Sequence, residues 1–223
     1  MPMILAKELD AIKRLLLTES AKVEEAINLG IRALLDRNTE LARQVIKNDD
    51  EIDRMEIEVE EEVIKTLALH QPVAGDLRFL IAVLKINNDL ERMGDIASNI
   101  AKRADFISSK PRMQLDFDFP DMAAKAQSMV KRCIDALVER DSAMARQVIV
   151  DDAQLDRMRY LIQEIAPVEM EKNPDNSDIL LQYVSVARHL ERLGDIATNI
   201  SEDVIYMVEG EIIRHRMRMQ QKK

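Results

Sequence analysis

Tryptophan is absent from the 223 residues, aromatic side chains make up 3% of them, and there are only five glycines and six prolines. Sheets draw on aromatic residues for their pleated faces and on many turn residues between short strands, so these shortages argue against a β-rich fold. A single cysteine excludes an intrachain disulfide framework. No window approaches about 18 uninterrupted apolar residues, which excludes a helical membrane span. The opening residues MPMILAKELD lack the basic start and continuous apolar run of a signal peptide, so a cytoplasmic location is expected. Positive charge is also scarce: the net charge of −9 argues against nucleic-acid binding, which needs a basic face for phosphates. One run, RHRMRMQQKK at residues 214–223, is basic, and reads as a solvated tail or a contact for an anionic partner or membrane surface.

Instead the chain has 47% apolar and 33% charged residues, a composition that suits helices packed through Leu, Ile, Val, Ala and Met. Its 13 methionines fit adaptable core filling. An internal repeat is visible: ARQVIKNDDEIDRMEIE (42–58) aligns with ARQVIVDDAQLDRMRYL (145–161), and DLERMGDIASNI (89–100) with HLERLGDIATNI (189–200). The offset is 103 in the first pair and 100 in the second, so three residues are lost near a turn. HQPV (70–73) and KNPDNSD (172–178) carry the Pro and Asn signals of those turns. SSKPRMQLDFDFPDM (108–122) has no helical period and reads as the linker between halves 1–110 and 111–223. Helices are expected over 5–36, 39–69 and 73–107, then 120–139, 141–171 and 176–212. Positions 86, 90, 93, 97, 100, 104 and 107 alternate by four and three, the seam of a coiled-coil-like bundle. The expected fold is all-α, a tandem repeat of two antiparallel three-helix bundles.

Each half carries two acidic pairs spaced four apart, which places each pair on one side of its helix. They are Asp49 and Asp53 with Glu91 and Asp95, and Asp152 and Asp156 with Glu191 and Asp195. If the helices form antiparallel hairpins, Asp49 with Asp95 and Asp53 with Glu91 share a midpoint at Pro72, inside the first turn. The second set shares one between Asn173 and Pro174, inside the second. Four carboxylates at one height repel unless a cation lies between them. Oxygen-only ligands suit hard ions such as Mg, Mn, Ca or ferric iron. The three histidines, at 70, 189 and 215, do not form the Glu-x-x-His pairs of ferritin-like bundles. Gly94 and Gly194 would admit a neighbouring backbone or ion beside Asp95 and Asp195, and Asn99 and Asn199, one turn on, are possible additional ligands. A structural alternative stands beside this reading: Arg54, Arg92, Arg157 and Arg192 flank the acids and could answer them as salt bridges.

Other chemistry has less to build on. Cys133 in MVKRCIDALV has no His or Cys at a useful spacing and reads as a packed residue. No phosphate-binding glycine loop, nucleophile elbow or dinucleotide fingerprint occurs. His70 reads as a cap or surface residue, and Asp76 as an acid complementing a helix N-terminus.

HQPVAGDLRFLIAVLKINNDLERMGDIASNIAKRAD, the paired D-x-x-x-D and E-x-x-x-D motifs and the tandem layout resemble the PhoU family of phosphate-signalling accessory proteins, over nearly the whole chain. The resemblance implies two pseudo-symmetric three-helix bundles and a homodimer. It also implies metal ions, multinuclear iron or Mg/Mn, at Asp49, Asp53, Glu91, Asp95, Asp152, Asp156, Glu191 and Asp195. The implied function is negative regulation of phosphate uptake and of the phosphate-starvation response, through the phosphate ABC transporter's ATPase and a sensor histidine kinase, without enzymatic activity. Two departures matter. His189 stands where the first copy has Asp89, so the first half gains an acid near its cluster, and the second half lacks QPVAGDLR, so a partner contact there is one-sided. The competing function is a carboxylate-bridged metal-dependent hydrolase or oxidase, which would need an open coordination position and a base or nucleophile beside the acids. A purely structural helical adaptor is the third.

Overall fold

The computed structural model describes residues 2–113 and 115–213. The basic run at 214–223, with His215, lies outside them. Six long helices occupy most of the described chain: α1 Pro2–Leu35, α2 Thr39–His70, α3 Ala74–Ser108, α4 Phe119–Glu139, α5 Ser142–Lys172 and α6 Ser177–Glu209. A 3-10 turn, Pro174–Asn176, joins the last two, and no strand occurs among the described residues.

Short polar residues set the starts. The Asn38 side chain accepts the Leu41 N–H at 3.0 Å. Asp141, its counterpart in the repeat, accepts from Ala143 and Met144 at 2.8 and 3.0 Å. These contacts satisfy amides that have no partner inside the helix. The ends fall within one residue of the sequence expectation except the start of α1, at Pro2 instead of residue 5, and the end of α6. α6 stops at Glu209 because Gly210 turns to φ 77 and its N–H closes on the Tyr206 carbonyl at 2.9 Å. α4 begins at Phe119, within the stretch read as linker, with Asp118 accepting from Asp121 at 2.9 Å and Pro120 in the first turn. The linker is also packed down: the Phe117 and Phe119 rings are 4.6 Å apart, and Phe119 lies 4.9 Å from Tyr183 of α6.

In each half the three helices pack on one another, and α3 and α6 form the wall between the halves. Lys85–Asp203 and Lys110–Asp178 contacts, at 3.3 and 2.6 Å, bridge that wall. Their residue numbers share one total, so α3 and α6 run antiparallel, and Gly94 stands level with Gly194. The pseudo-twofold relation of the halves therefore passes through the two repeated motifs. The whole expected seam of α3, from Ile86 to Ile107, is buried. α1 also reaches α4, where the Gln127 amide donates to Asn28 Oδ1 at 2.7 Å.

Candidate carboxylate site

The α2–α3 hairpin sets the register of the first acidic group. Asn87 on α3 is buried and donates from Nδ2 to the Glu56 carbonyl on α2 at 2.9 Å. Further along, a Cβ on Gly94 would lie 3.0 Å from Ile52 Cδ1. With those two contacts fixed, Asp49, Asp53, Glu91 and Asp95 act on one another across the hairpin. Glu91 sits above the usual carboxylate range through burial first, then through Asp95, Asp53, Glu56 and Asp49. Asp49 is raised by burial and by Asp95 and Asp53, while the Ser98 hydroxyl and Lys102 work the other way. The two pairs are thus near enough for their charges to act across the hairpin.

The group runs deeper than the motif. Asp53 and Asp95 are exposed, Asp49, Glu56 and Glu91 half-buried, and behind them Glu19 of α1 is 0% exposed. Among the described residues neither Glu19 carboxylate oxygen has a hydrogen-bond partner. Burial, then Glu56 and Glu91, push its carboxyl up to about 8. Glu56 is itself raised by burial, Glu60 and Asp53. Among the described residues no lysine or arginine forms an ion pair with Asp53, Glu91 or Asp95. A groove of about 200 Å³ between α1 and α2, lined by Lys22, Gln44 and Asn48 among others, gives solvent a way to Asp49.

The second group is built differently on the same hairpin plan. Arg159 Nε on α5 lies 2.9 Å from Glu191 Oε1 on α6, with both side chains largely buried. Burial and the neighbouring Asp195 and Asp156 raise Glu191, and Arg159 opposes them. Asp152 reaches α6, its Oδ1 3.0 Å from where a Gly194 Cβ would be. The groove equivalent to that beside Asp49 is lined by Arg132 and Asp151, which are paired at 2.7 Å.

Several expectations change. The space at Gly94 and Gly194 is taken by side chains of the facing helix, Ile52 in one half and Leu155 with Asp152 in the other, rather than by neighbouring backbone. Asn99 and Asn199 are half-buried and outside the groups acting on Asp49, Glu91 or Glu191; the nearer neighbour of Asp49 is Ser98. Arg92 pairs with Asp89 at 2.7 Å rather than with the motif acids. Asp89 is thereby engaged beside its own helix, while His189 is buried and pushed down to about 4 by burial, Arg103, Arg188 and Arg192. His70 Nε2 lies 2.7 Å from Glu8 Oε2, tying the end of α2 to α1. Cys133 is fully buried with its thiol pushed up by desolvation, as a packed residue.

Three participants escaped sequence reasoning: Glu19, Glu56 and Arg159. Glu19 had a signal, since it falls on the apolar stripe Ile12, Leu16, Val23, Ile27 of α1, where an acid is out of place. Glu56 against Arg159 is a charge reversal inside the aligned repeat. Whether these carboxylates suit a hard cation turns on donor chemistry, and the first group offers only oxygens with no cationic partner on three of its four motif acids. Among the described residues no three acidic, histidine or cysteine side chains already converge at ligand distance, so an ion would draw them in by side-chain rotation.

Fold and site together define an all-helical repeat protein with a solvent-accessible carboxylate group on one hairpin. A family model, the PhoU domain, matches residues 16–104 and again 119–204, and the chain belongs to this family. It is 37% identical over 214 residues to the phosphate-specific transport system accessory protein PhoU homolog of Aquifex aeolicus, covering 96% of this chain and 97% of that one. The Pseudomonas aeruginosa homolog is 36% identical over 210 residues, covering 93% and 86%. Among solved structures, PhoU from Pseudomonas aeruginosa superposes with a TM-score of 0.88 at 34% identity, covering 92% of this chain and 99% of that one. The phosphate transport system regulatory protein PhoU from Streptococcus pneumoniae gives 0.81 at 27%, covering 93% and 98%.

Proposed function

We propose that this protein is a regulator attached to phosphate transport, acting as a metal-binding adaptor that restrains uptake and the phosphate-starvation response. The observation that carries the first part is the near full-length likeness to proteins named as accessory to a phosphate-specific transport system. Its partners in this reading are the phosphate ABC transporter's ATPase and a sensor histidine kinase, and it works in the cytoplasm as a homodimer. No described helix is long and apolar enough to cross a membrane, so contact with the transporter is made by surface docking. That contact is one-sided, at the α2–α3 tip, where Leu69, Val73 and Leu77 are exposed.

The metal part rests on the unanswered acids of the first half. A bound cation supplies positive charge between α2 and α3, which offsets the mutual repulsion of Asp49, Asp53, Glu91 and Asp95. The protein's own contribution is to hold those four carboxylates level through the Asn87–Glu56 contact and the Ile52–Gly94 packing. In the second half Asp152, Asp156, Glu191 and Asp195 hold the equivalent places. The regulator is read as non-catalytic.

Deleting the gene tests the regulatory reading: phosphate uptake and starvation-gene expression should rise in phosphate-rich medium, and unchanged levels of both would sink it. For the metal, protein stripped by chelator and re-exposed to Fe, Mn or Mg should gain melting temperature. Loss of that gain in Glu91→Gln is the expected result; an equal gain in the variant removes the motif from the role.

A further inference from the structure

The geometry points to a single cation centre per chain, in the first half, extended by Glu19 of α1 and Glu56 of α2, with Arg159 standing in for the cation in the second half. This rests on the metal reading above and narrows it from two equivalent centres to one.

α1 and α4 align without a gap from Leu16 with Phe119, so Glu19 corresponds to Met122 and Glu56 to Arg159. Glu19 is 0% exposed and, among the described residues, both carboxylate oxygens are unpartnered. A buried carboxyl with no hydrogen bond costs folding energy and is retained only where something repays that cost. It is close enough to Glu56 of α2 and Glu91 of α3 for their charges to act on it, and among the described residues neither of those acids has a lysine or arginine ion-pair partner. A hard cation takes six or more oxygen donors. Glu19, Glu56 and Glu91, from three different helices, add inner donors to the outer Asp49, Asp53 and Asp95. The groove at Asp49 supplies the way in.

The second half shows what the same motif looks like when it is closed. Met122 fills Glu19's place with a thioether, which is 0% exposed. Arg159 reaches Glu191 at 2.9 Å. A fixed guanidinium on the α6 glutamate already supplies the charge that an ion would bring, and it occupies the donor. Arg132 and Asp151 line the groove that would be the entry.

The full-length protein, chelator-stripped, is titrated calorimetrically with Mn(II), and with Fe(II) anaerobically in parallel. One set of sites is expected, abolished by Glu91→Gln and unchanged by Glu191→Gln. Glu19→Gln and Glu56→Gln should each weaken uptake at least tenfold, and Arg159→Glu should add a second set. Melting curves without metal establish that each variant is folded, and Glu19→Gln in particular should melt no lower than the parent at pH 8. Equal losses from Glu91→Gln and Glu191→Gln, or full uptake by Glu19→Gln and Glu56→Gln together, overturn the single extended centre while leaving metal binding in place. Uptake that no carboxylate replacement alters, or no uptake at all, overturns both.

Discussion

Asp53 and Asp156 hold equivalent places on α2 and α5, as Glu91 and Glu191 do on α3 and α6, yet three residues beyond each aspartate the chain carries Glu56 in one half and Arg159 in the other. The motif is the same; what differs is the charge set beside it. In the first half the acids meet more acid, down to a carboxyl sealed under α1. In the second they meet a guanidinium, and Met122 closes the floor. What a D-x-x-x-D and E-x-x-x-D pair does is therefore decided by residues outside it, because a carboxylate's charge state follows from burial and neighbours rather than from spacing.

The halves also differ in how closely helices approach, and the largest expected loss from a single substitution lies there. Gly30 lets α1 come so near α3 that an added Cβ would be 3.0 Å from the Ala97 carbonyl oxygen, which is backbone and cannot swing away. Cys133 is the equivalent residue of α4, where a side chain is already buried in the same place. Gly30→Val should cost roughly 3 kcal/mol and Cys133→Val under about 1.5. At roughly 2–4 °C per kcal/mol for a chain of this size, the two melting temperatures separate clearly, and equal losses would mean that the halves pack alike.

The buried acid adds a contrast across pH. Glu19 has a folded value of about 8 against 4.5 for the free side chain. The native state therefore holds a proton that the unfolded chain releases between those values. Stability from this group is fully present below about pH 4.5 and falls as pH rises toward 8, by an amount on the order of 4–5 kcal/mol. Urea midpoints for metal-free protein at pH 5 and pH 8.5 should diverge, and Glu19→Gln should flatten most of that slope. A slope unchanged in the variant assigns the pH dependence to other groups. Met122 gives the second half no matching term.

Much of this architecture was legible in the sequence. The α3 seam, the capped starts at Asn38 and Asp141 and the two Pro-containing turns each carry a local physical signal, and the helices fall where those signals put them. The hairpin register was also legible, since two acidic pairs and one turn fix it. What sequence could not supply was side-chain direction across a third helix. Nothing in TESAKVEEAI says that Glu19 is buried near enough to feel the charge of Glu91, because α1 meets α3 through tertiary packing and not through a turn of known length. The residue that packs on Gly94 was hidden for the same reason: sequence allows a neighbouring backbone or an ion there, and Ile52 comes from the facing helix. The end of α6 was missed because its apolar period runs on past Gly210, whose left-handed conformation is what stops it.

A smaller effect isolates the ion pair that distinguishes the second half. Arg159 and Glu191 are exposed by only 20% and 13% in their side chains, so removing one partner leaves the other poorly solvated. Arg159→Ala should cost about 1–3 kcal/mol and Glu191→Gln less, with a double-mutant coupling of at least roughly 1 kcal/mol. A coupling near zero would make the contact incidental and reopen the second group to an ion. Among the described residues no lysine or arginine pairs with Glu91, so Glu56→Ala should leave metal-free stability unchanged or raise it by relieving repulsion on Glu91.

The smallest contrast is between the two caps, and it separates charge from geometry. Asn38 accepts one amide and Asp141 two, at the starts of equivalent helices. Aspartate also places negative charge against the positive end of the helix dipole, worth a few tenths of a kcal/mol to about 1. Asp141→Ala should then cost about 1–1.5 kcal/mol and Asn38→Ala about 0.5–1. Raising salt should narrow the difference, because screening weakens the dipole term and leaves the hydrogen bonds. If the two losses are equal at low salt, the second amide contact and the charge contribute nothing. The caps would then join the features that the halves share, leaving the closed and open acidic groups as the asymmetry that matters.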